Sequence, residues 1–208
     1  NAGSPASWHV PTNWSGCATG NGSPAGTPGP DDSVVLATGT ALLDLQLTTV
    51  ANLDIAAGAE LGVIETQTTV RQLTINSSFS MASATLSGAL PPPGGPSPAL
   101  LSLQLPPGST TTLSGTNLFR RGSLTNAGTL VFNGGSGVRL DFDLDGQFVN
   151  SAGATTTVLG DYVFGYTTSG AINNQGTWIN QGPGLVRIER SGASGGQFFS
   201  TGLFEIRN

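Results

Sequence analysis

The chain has no lysine, and its 208 residues include one cysteine, one histidine and one methionine. Only 9% of the residues are charged, the net charge is -5, and every positive side chain is an arginine. That balance argues against a nucleic-acid partner, because binding along phosphates draws on clustered Lys and Arg. A lone Cys17 cannot form a disulfide within the chain; it is either a small loop residue or a link to another chain. A helical rhythm is missing too. The chain is punctuated by 31 glycines and 13 prolines, and no window of about a dozen residues repeats apolar side chains at the helical period. No run approaches the ~18 apolar residues that a membrane-spanning helix needs, so no transmembrane segment is expected. The first residue, Asn1, follows no signal-like stretch, which fits a mature product or an excised fragment. With so little charge, solubility must rest on Thr, Ser, Asn, Gln and Gly, a composition that leans towards an extracellular or cell-surface protein.

What is present is a repeat. Residues 124–132 read Leu-Thr-Asn-Ala-Gly-Thr-Leu-Val-Phe, and the phrase of apolar residue, Asn, Gly and apolar residue returns at Phe148 to Gly153, at Ile172 to Trp178, and at Phe198 to Phe204 with Ser200 in place of Asn. The glycines at 128, 153, 176 and 202 lie 25, 23 and 26 residues apart, within the range of solenoid repeats. A unit this short cannot bury its own apolar face, so each copy must stack on its neighbours.

Residues 1–32 form a Gly/Pro-rich cap or loop segment, dense enough in both residues to block a regular ladder. Within it, Trp8 and Trp14 are placed to cover the apolar end of the first coil. Residues 33–208 form the solenoid. Leu43, Leu45 and Leu47 alternate as in a strand, and Val50 to Ile55 matches Val70 to Ile75 at an offset of 20 residues. A proline-rich stretch at 88–98 cannot sit inside a ladder and is expected to loop out of one coil.

The expected fold is all-β: a single-stranded parallel β-helix, or β-solenoid, with coils of about 20–26 residues and an N-terminal Gly/Pro-rich cap. Seven or so coils would make a rod of roughly 35 Å. Asn126 with Gly128, Asn150 with Gly153, Asn174 with Gly176, and Gly202 are read as turn residues suited to positive φ. Stacked asparagines can also hydrogen-bond along the axis as a ladder. The strand-like ending at Phe204 to Arg207 offers a template for further pairing, by continuation of the solenoid or by self-association with another copy.

The stretch from Trp8 through Asn13-Trp14-Ser15-Gly16, the phrase Pro28 to Leu36, the Ala57-Gly58-Ala59-Glu60-Leu61 phrase and the Asn-x-Gly-Thr-Leu repeats together resemble the right-handed β-helix of bacterial surface and autotransporter passenger proteins, which are adhesin-type. The resemblance covers most of the chain. It implies secretion and a role in adhesion, surface coating or self-association.

Three further patterns bear on function. Arg139-Leu-Asp141-Phe-Asp143-Leu-Asp145-Gly146 places Asp141, Asp143 and Asp145 on one strand face with Arg139, and Leu140, Phe142 and Leu144 on the other. Acids two apart before a glycine resemble the opening of a calcium loop, although the twelfth position from Asp141 is Ala152 rather than the required Glu. No other cofactor is indicated. A polysaccharide-binding or polysaccharide-degrading β-helix would instead use Asp141 and Asp143 in a cleft with Tyr162 and Tyr166. The only histidine, His9, lies in the cap, and Arg120-Arg121 reads as a solvated turn. Thr-rich patches at 66–69, 110–112 and 155–157 resemble the ladders of ice-binding solenoids, but their spacing is uneven and Thr suits any exposed strand. Asn13, Asn21 and Asn76 sit in Asn-x-Ser glycosylation patterns. The expected function is that of a non-catalytic extracellular structural or adhesive solenoid. A carbohydrate-active protein, with surface polysaccharide as partner, is the alternative, and an ice-binding solenoid the third.

Overall fold

The computed structural model describes residues 5–15, 25–64, 69–89, 100–166, 170–190 and 196–207. It is a parallel β-solenoid of about six turns. No α-helix occurs among the described residues; a short 3-10 turn at Pro11–Asn13 is the only helical element, so none is long and apolar enough to cross a membrane. Strands of about five residues form because apolar and polar side chains alternate while a glycine or a short polar turn marks each corner.

The first face carries Ala6–Ser7, Thr40–Leu43, Glu60–Val63, Thr85–Ser87, Thr116–Arg120, Arg139–Asp143, Tyr162–Tyr166 and Val186–Arg190, hydrogen-bonded in that order. The second face stacks Leu101–Leu105, Gly122–Asn126, Gly146–Asn150, Gly170–Asn174 and Gly196–Ser200. The third stacks Thr110–Ser114, Thr129–Asn133, Thr155–Leu159, Thr177–Gln181 and Leu203–Arg207. Near the N-terminus the second and third faces are one: Leu47–Ile55 and Arg71–Ala82 run across both, and Ser33–Leu36 pairs with the far half of Leu47–Ile55. From Thr40–Leu43 to Val186–Arg190 the stack advances six steps, about 29 Å at the ~4.8 Å spacing of paired strands.

The core is aliphatic at one end and aromatic at the other. Leu43, Leu61, Leu73, Ile75, Met81, Leu86 and Leu103 are fully buried in the early coils. In the later ones the Phe132 ring has centroids of Phe148, Tyr162, Phe164 and Trp178 at 5.6, 5.1, 5.0 and 6.0 Å. The expected alternation of Leu43, Leu45 and Leu47 fails. The strand stops at Leu43, the chain turns a corner, and the next strand begins in the opposite phase, leaving Leu45 43% and Leu47 70% exposed while Thr48 points inward.

The asparagine ladder is present. Asn126 Nδ2 donates to Asn150 Oδ1 at 3.0 Å, Asn150 Nδ2 to Asn174 Oδ1 at 2.8 Å, and Asn174 Nδ2 to Ser200 Oγ at 3.0 Å. Each amide also reaches a carbonyl at the start of a third-face strand, Thr155, Thr177 or Leu203. All three asparagines are fully buried, so the ladder satisfies polar groups that the corner would otherwise strand away from water.

The glycines beside the ladder work differently from the turn reading. Gly128, Gly176 and Gly202 are not at positive φ. They allow backbones to pass closely: a Cβ would stand 2.3 Å from the Ser109 carbonyl oxygen at Gly128, 2.4 Å from those of Ser151 and Ala154 at Gly176, and 2.0 Å from that of Gly176 at Gly202. Gly153 is the exception, with φ +84 and open space around it. It belongs to a turn that is two residues longer, and Ala154 holds the register of Gly128 and Gly176, because the Thr155 amide bonds to Gly128 and the Thr177 amide to Ala154.

Candidate functional site

Charge is concentrated on the outward side of the first face. Leu140 and Phe142 point into the core, so Arg139, Asp141 and Asp143 point out. Arg139 Nε reaches both carboxylate oxygens of Asp141, at 2.9 and 2.8 Å, and Nη2 reaches Oδ1 at 2.5 Å. These bonds raise the guanidinium pKa above its ordinary value. The pair lies over Gly165 of the next coil, where a Cβ would fall 2.2 Å from Asp141 Oδ1 and 2.3 Å from Arg139 Nη2. Asp143 pairs instead with Arg120 of the preceding coil, Nε to Oδ2 at 3.2 Å.

Asp145 does not join this face. Leu144 and Asp145 have φ of +47° and +68°, so the strand ends at Asp143 and the alternation that would have carried Leu144 inward and Asp145 outward is broken by a left-handed turn. Among the described residues no group of three His, Cys, Asp or Glu side chains could hold a metal ion. The cleft expected of a carbohydrate-active site is not formed either. Tyr162 and Tyr166 are 0% and 2% exposed, on the inward side of the strand whose neighbour presents Asp141 outward, and burial pushes both phenol pKa values up. Arg120 and Arg121 also part company: Arg120 sits on the first face and Arg121 takes the corner at φ +50.

The cap holds a cluster that sequence reasoning missed. Trp8 is fully buried, and Trp14 packs edge-on at 4.8 Å with its Nε1 donating to the Trp8 carbonyl. Between them and the first coil, Asp44 accepts a hydrogen bond from Ser7 Oγ and contacts His9 Nδ1, while His9 Nε2 meets Thr48 Oγ1 at 3.1 Å. Burial alone would raise the Asp44 pKa, but the bonds from Ser7 and His9 and the His9 charge together hold it below the ordinary carboxylate value. Hydroxyl, imidazole and carboxylate follow one another in the order of a nucleophile relay. Thr48 is only 8% exposed, however, and the neighbouring cleft of about 380 Å³, lined by Ser7, Trp14, Leu36 and Thr40, reaches neither His9 nor Thr48. The cluster therefore fastens the cap. Its only sequence signals were a lone histidine and an aspartate 35 residues away.

Of the glycosylation-pattern residues, Asn13 donates its amide to the Ser7 carbonyl at 2.7 Å within the cap, and Asn76 is exposed at the corner of Arg71–Ala82. Asn21, Cys17, Thr66 to Thr68 and residues 90–98 of the proline-rich stretch lie outside the described residues.

The third face carries no charge through its middle. Its first outward column reads Ser78, Thr110, Thr129, Thr155, Thr177, and its second Ser80, Thr112, Val131, Thr157, Ile179. The threonines at 110, 129, 155 and 177 are unevenly spaced in sequence yet adjacent in register, because insertions and deletions are taken up at the corners. At the last coil, Ile188, Phe204 and Ile206, which the next coil inward would cover, are 50%, 43% and 71% exposed.

Comparison of the chain with protein-family models, curated proteins and solved structures finds no match. The surfaces of the chain are a charged first face, a capped first coil, an uncharged third face and an uncovered last coil.

Proposed function

We propose that the chain is a non-catalytic structural or adhesive β-solenoid of the extracellular or cell-surface kind, a segment whose last coil stacks on a further coil. The observation that carries this reading is the apolar cross-section at Ile188, Phe204 and Ile206, together with the three strands Val186–Arg190, Gly196–Ser200 and Leu203–Arg207, each paired on one side only among the described residues. Unpaired strand edges over exposed apolar side chains are a template for another strand layer. The sequence resemblance to adhesin-type passenger proteins points the same way, as does a strand ladder that runs without a register shift from Thr110–Ser114 to Leu203–Arg207.

The two ends are not equivalent. Trp8, Trp14 and the Ala6–Ser7 strand cover the first coil, so the open end has no second open end to receive it. Head-to-tail growth needs two different complementary surfaces, whereas a self-complementary one closes as a pair. In isolation the chain should therefore form dimers through its last coil and stop there. Sedimentation velocity across a hundredfold range of concentration tests this. A reversible monomer–dimer equilibrium that Ile206→Arg abolishes is expected. A wild-type chain that stays monomeric throughout, or a dimer indifferent to that substitution, would sink the proposal.

A further inference from the structure

The third face differs from the other two in what it leaves out. Between Asp54 at its base and Glu205 in its last coil, its outward positions hold no ionisable side chain. The acids and arginines of the middle coils stand on the first face or its corners. Thr110, Thr129, Thr155 and Thr177 stack in one column, and Thr112, Val131 and Thr157 in the next, with Ile179 closing it at 8% exposure. Three successive strand pairings match five residues each with no bulge, in contrast to the irregular step at Val50 and Asn52 nearer the N-terminus. The result is a two-dimensional grid, repeating at about 4.8 Å along the stack and about 6.7 Å between alternate residues of a strand.

Every member of the grid except its Ser78 and Ser80 margin is β-branched, so each side chain is short, stiff at χ1 and held at one height. Each threonine offers a hydroxyl that can take the place of a water molecule in a hydrogen-bonded lattice and a methyl that leaves the neighbouring waters to bond with one another. The absence of charge matters as much, because an ionised group imposes its own hydration shell on the water around it. The second face is also poor in charge, but its column of Leu47, Gln72, Ser102, Ser123, Gln147, Ala171 and Gln197 is uneven in length and flexible. Sugar rings are recognised largely by stacking on exposed aromatic rings, and none projects from the grid. From this match between a neutral, rigid, periodic face and a neutral, periodic partner, we infer that the third face binds ordered water at the surface of ice.

The test is partition of the purified chain into slowly grown polycrystalline ice, with a charged soluble protein of similar size as reference. The wild-type chain is expected to enter the ice at least tenfold over the reference. The double substitution Thr129→Lys with Thr157→Lys should return it to the reference level while circular dichroism shows the same strand signal, and Ser123→Lys with Gln147→Lys on the second face should leave partition unchanged. Should the first pair fail to fold, Thr112→Lys, at an exposed position, takes its place. Exclusion of the wild-type chain from ice overturns the inference, and so does equal loss from both faces. Exclusion from ice combined with capture by crystalline cellulose or chitin overturns it in favour of a polysaccharide surface. None of these outcomes depends on the last coil, so they are independent of the dimer test.

Discussion

Replacing Asn150 by leucine probes the ladder at its centre. Asn150 is fully buried and makes four hydrogen bonds: it donates to Asn174 Oδ1 at 2.8 Å and the Thr177 carbonyl at 3.0 Å, and accepts from Asn126 Nδ2 at 3.0 Å and Thr156 Oγ1 at 2.9 Å. A leucine has the same branching and number of heavy atoms, is somewhat bulkier, and removes all four. Asn126 retains the Thr155 carbonyl at 3.3 Å, so the groups most affected are the Thr156 hydroxyl and Asn174 Oδ1. At about 1–3 kcal/mol for each buried polar group left unpaired, the cost is about 2–6 kcal/mol, offset by about 1–2 kcal/mol for the added apolar burial. At mid-range values the net loss is about 2.5 kcal/mol, roughly 70-fold faster exchange of the amides that open with those coils. Solenoids open by neighbouring repeats rather than all at once, so hydrogen exchange resolved by peptide is the suitable assay. Acceleration should centre on residues 146–181 and fade towards Leu43. A variant as protected as the wild type would show that the ladder is incidental to the stability of these coils.

Gly176→Ala should destabilise the chain more than Gly153→Ala, by calorimetric melting, because the first drives a Cβ to 2.4 Å from two backbone oxygens whereas the second meets open space and costs only the positive-φ strain of about 1–2 kcal/mol. Phe132→Ala removes the ring at the centre of the aromatic core and should cost about 3–5 kcal/mol in denaturant unfolding. The folded-state pKa of Asp44 lies below its unfolded value, so the cap gains stability above the ordinary carboxylate range and loses it as pH falls through the folded value. Fluorescence of Trp8 and Trp14 should report that acid loosening, and Asp44→Asn should remove the pH dependence while leaving a looser cap at neutral pH. Gly165→Val should dislodge the half-buried Arg139–Asp141 pair and lower the melting temperature, mainly through the displaced side chains, since an ion pair at a surface contributes only about 0–1 kcal/mol.

The solenoid was legible because its signals are local. Alternation, Asn at the corners and the 24-residue interval between ladder members are properties of single strands repeated. Register was not. Gly153 looked like the counterpart of Gly128, but two extra residues at one corner hand that place to Ala154, and nothing in the sequence says on which side of a turn an insertion falls. The same uncertainty hid the third-face grid: Thr129 and Thr177 lie in no Thr-rich patch, and only stacking sets them beside Thr110 and Thr155. Asp145 was misplaced because alternation was carried one turn too far. His9 and Asp44 meet through the return of the cap across the first coil, a contact between distant segments that no spacing rule encodes.

The most direct test of the uncovered last coil is hydrogen exchange measured as a function of protein concentration. Protection of Val186–Arg190, Gly196–Ser200 and Leu203–Arg207 is expected to rise with concentration while that of Leu101–Leu105 and Gly122–Asn126 stays constant. Protection of the last three strands that does not change with concentration would contradict the claim that this coil is built to receive another.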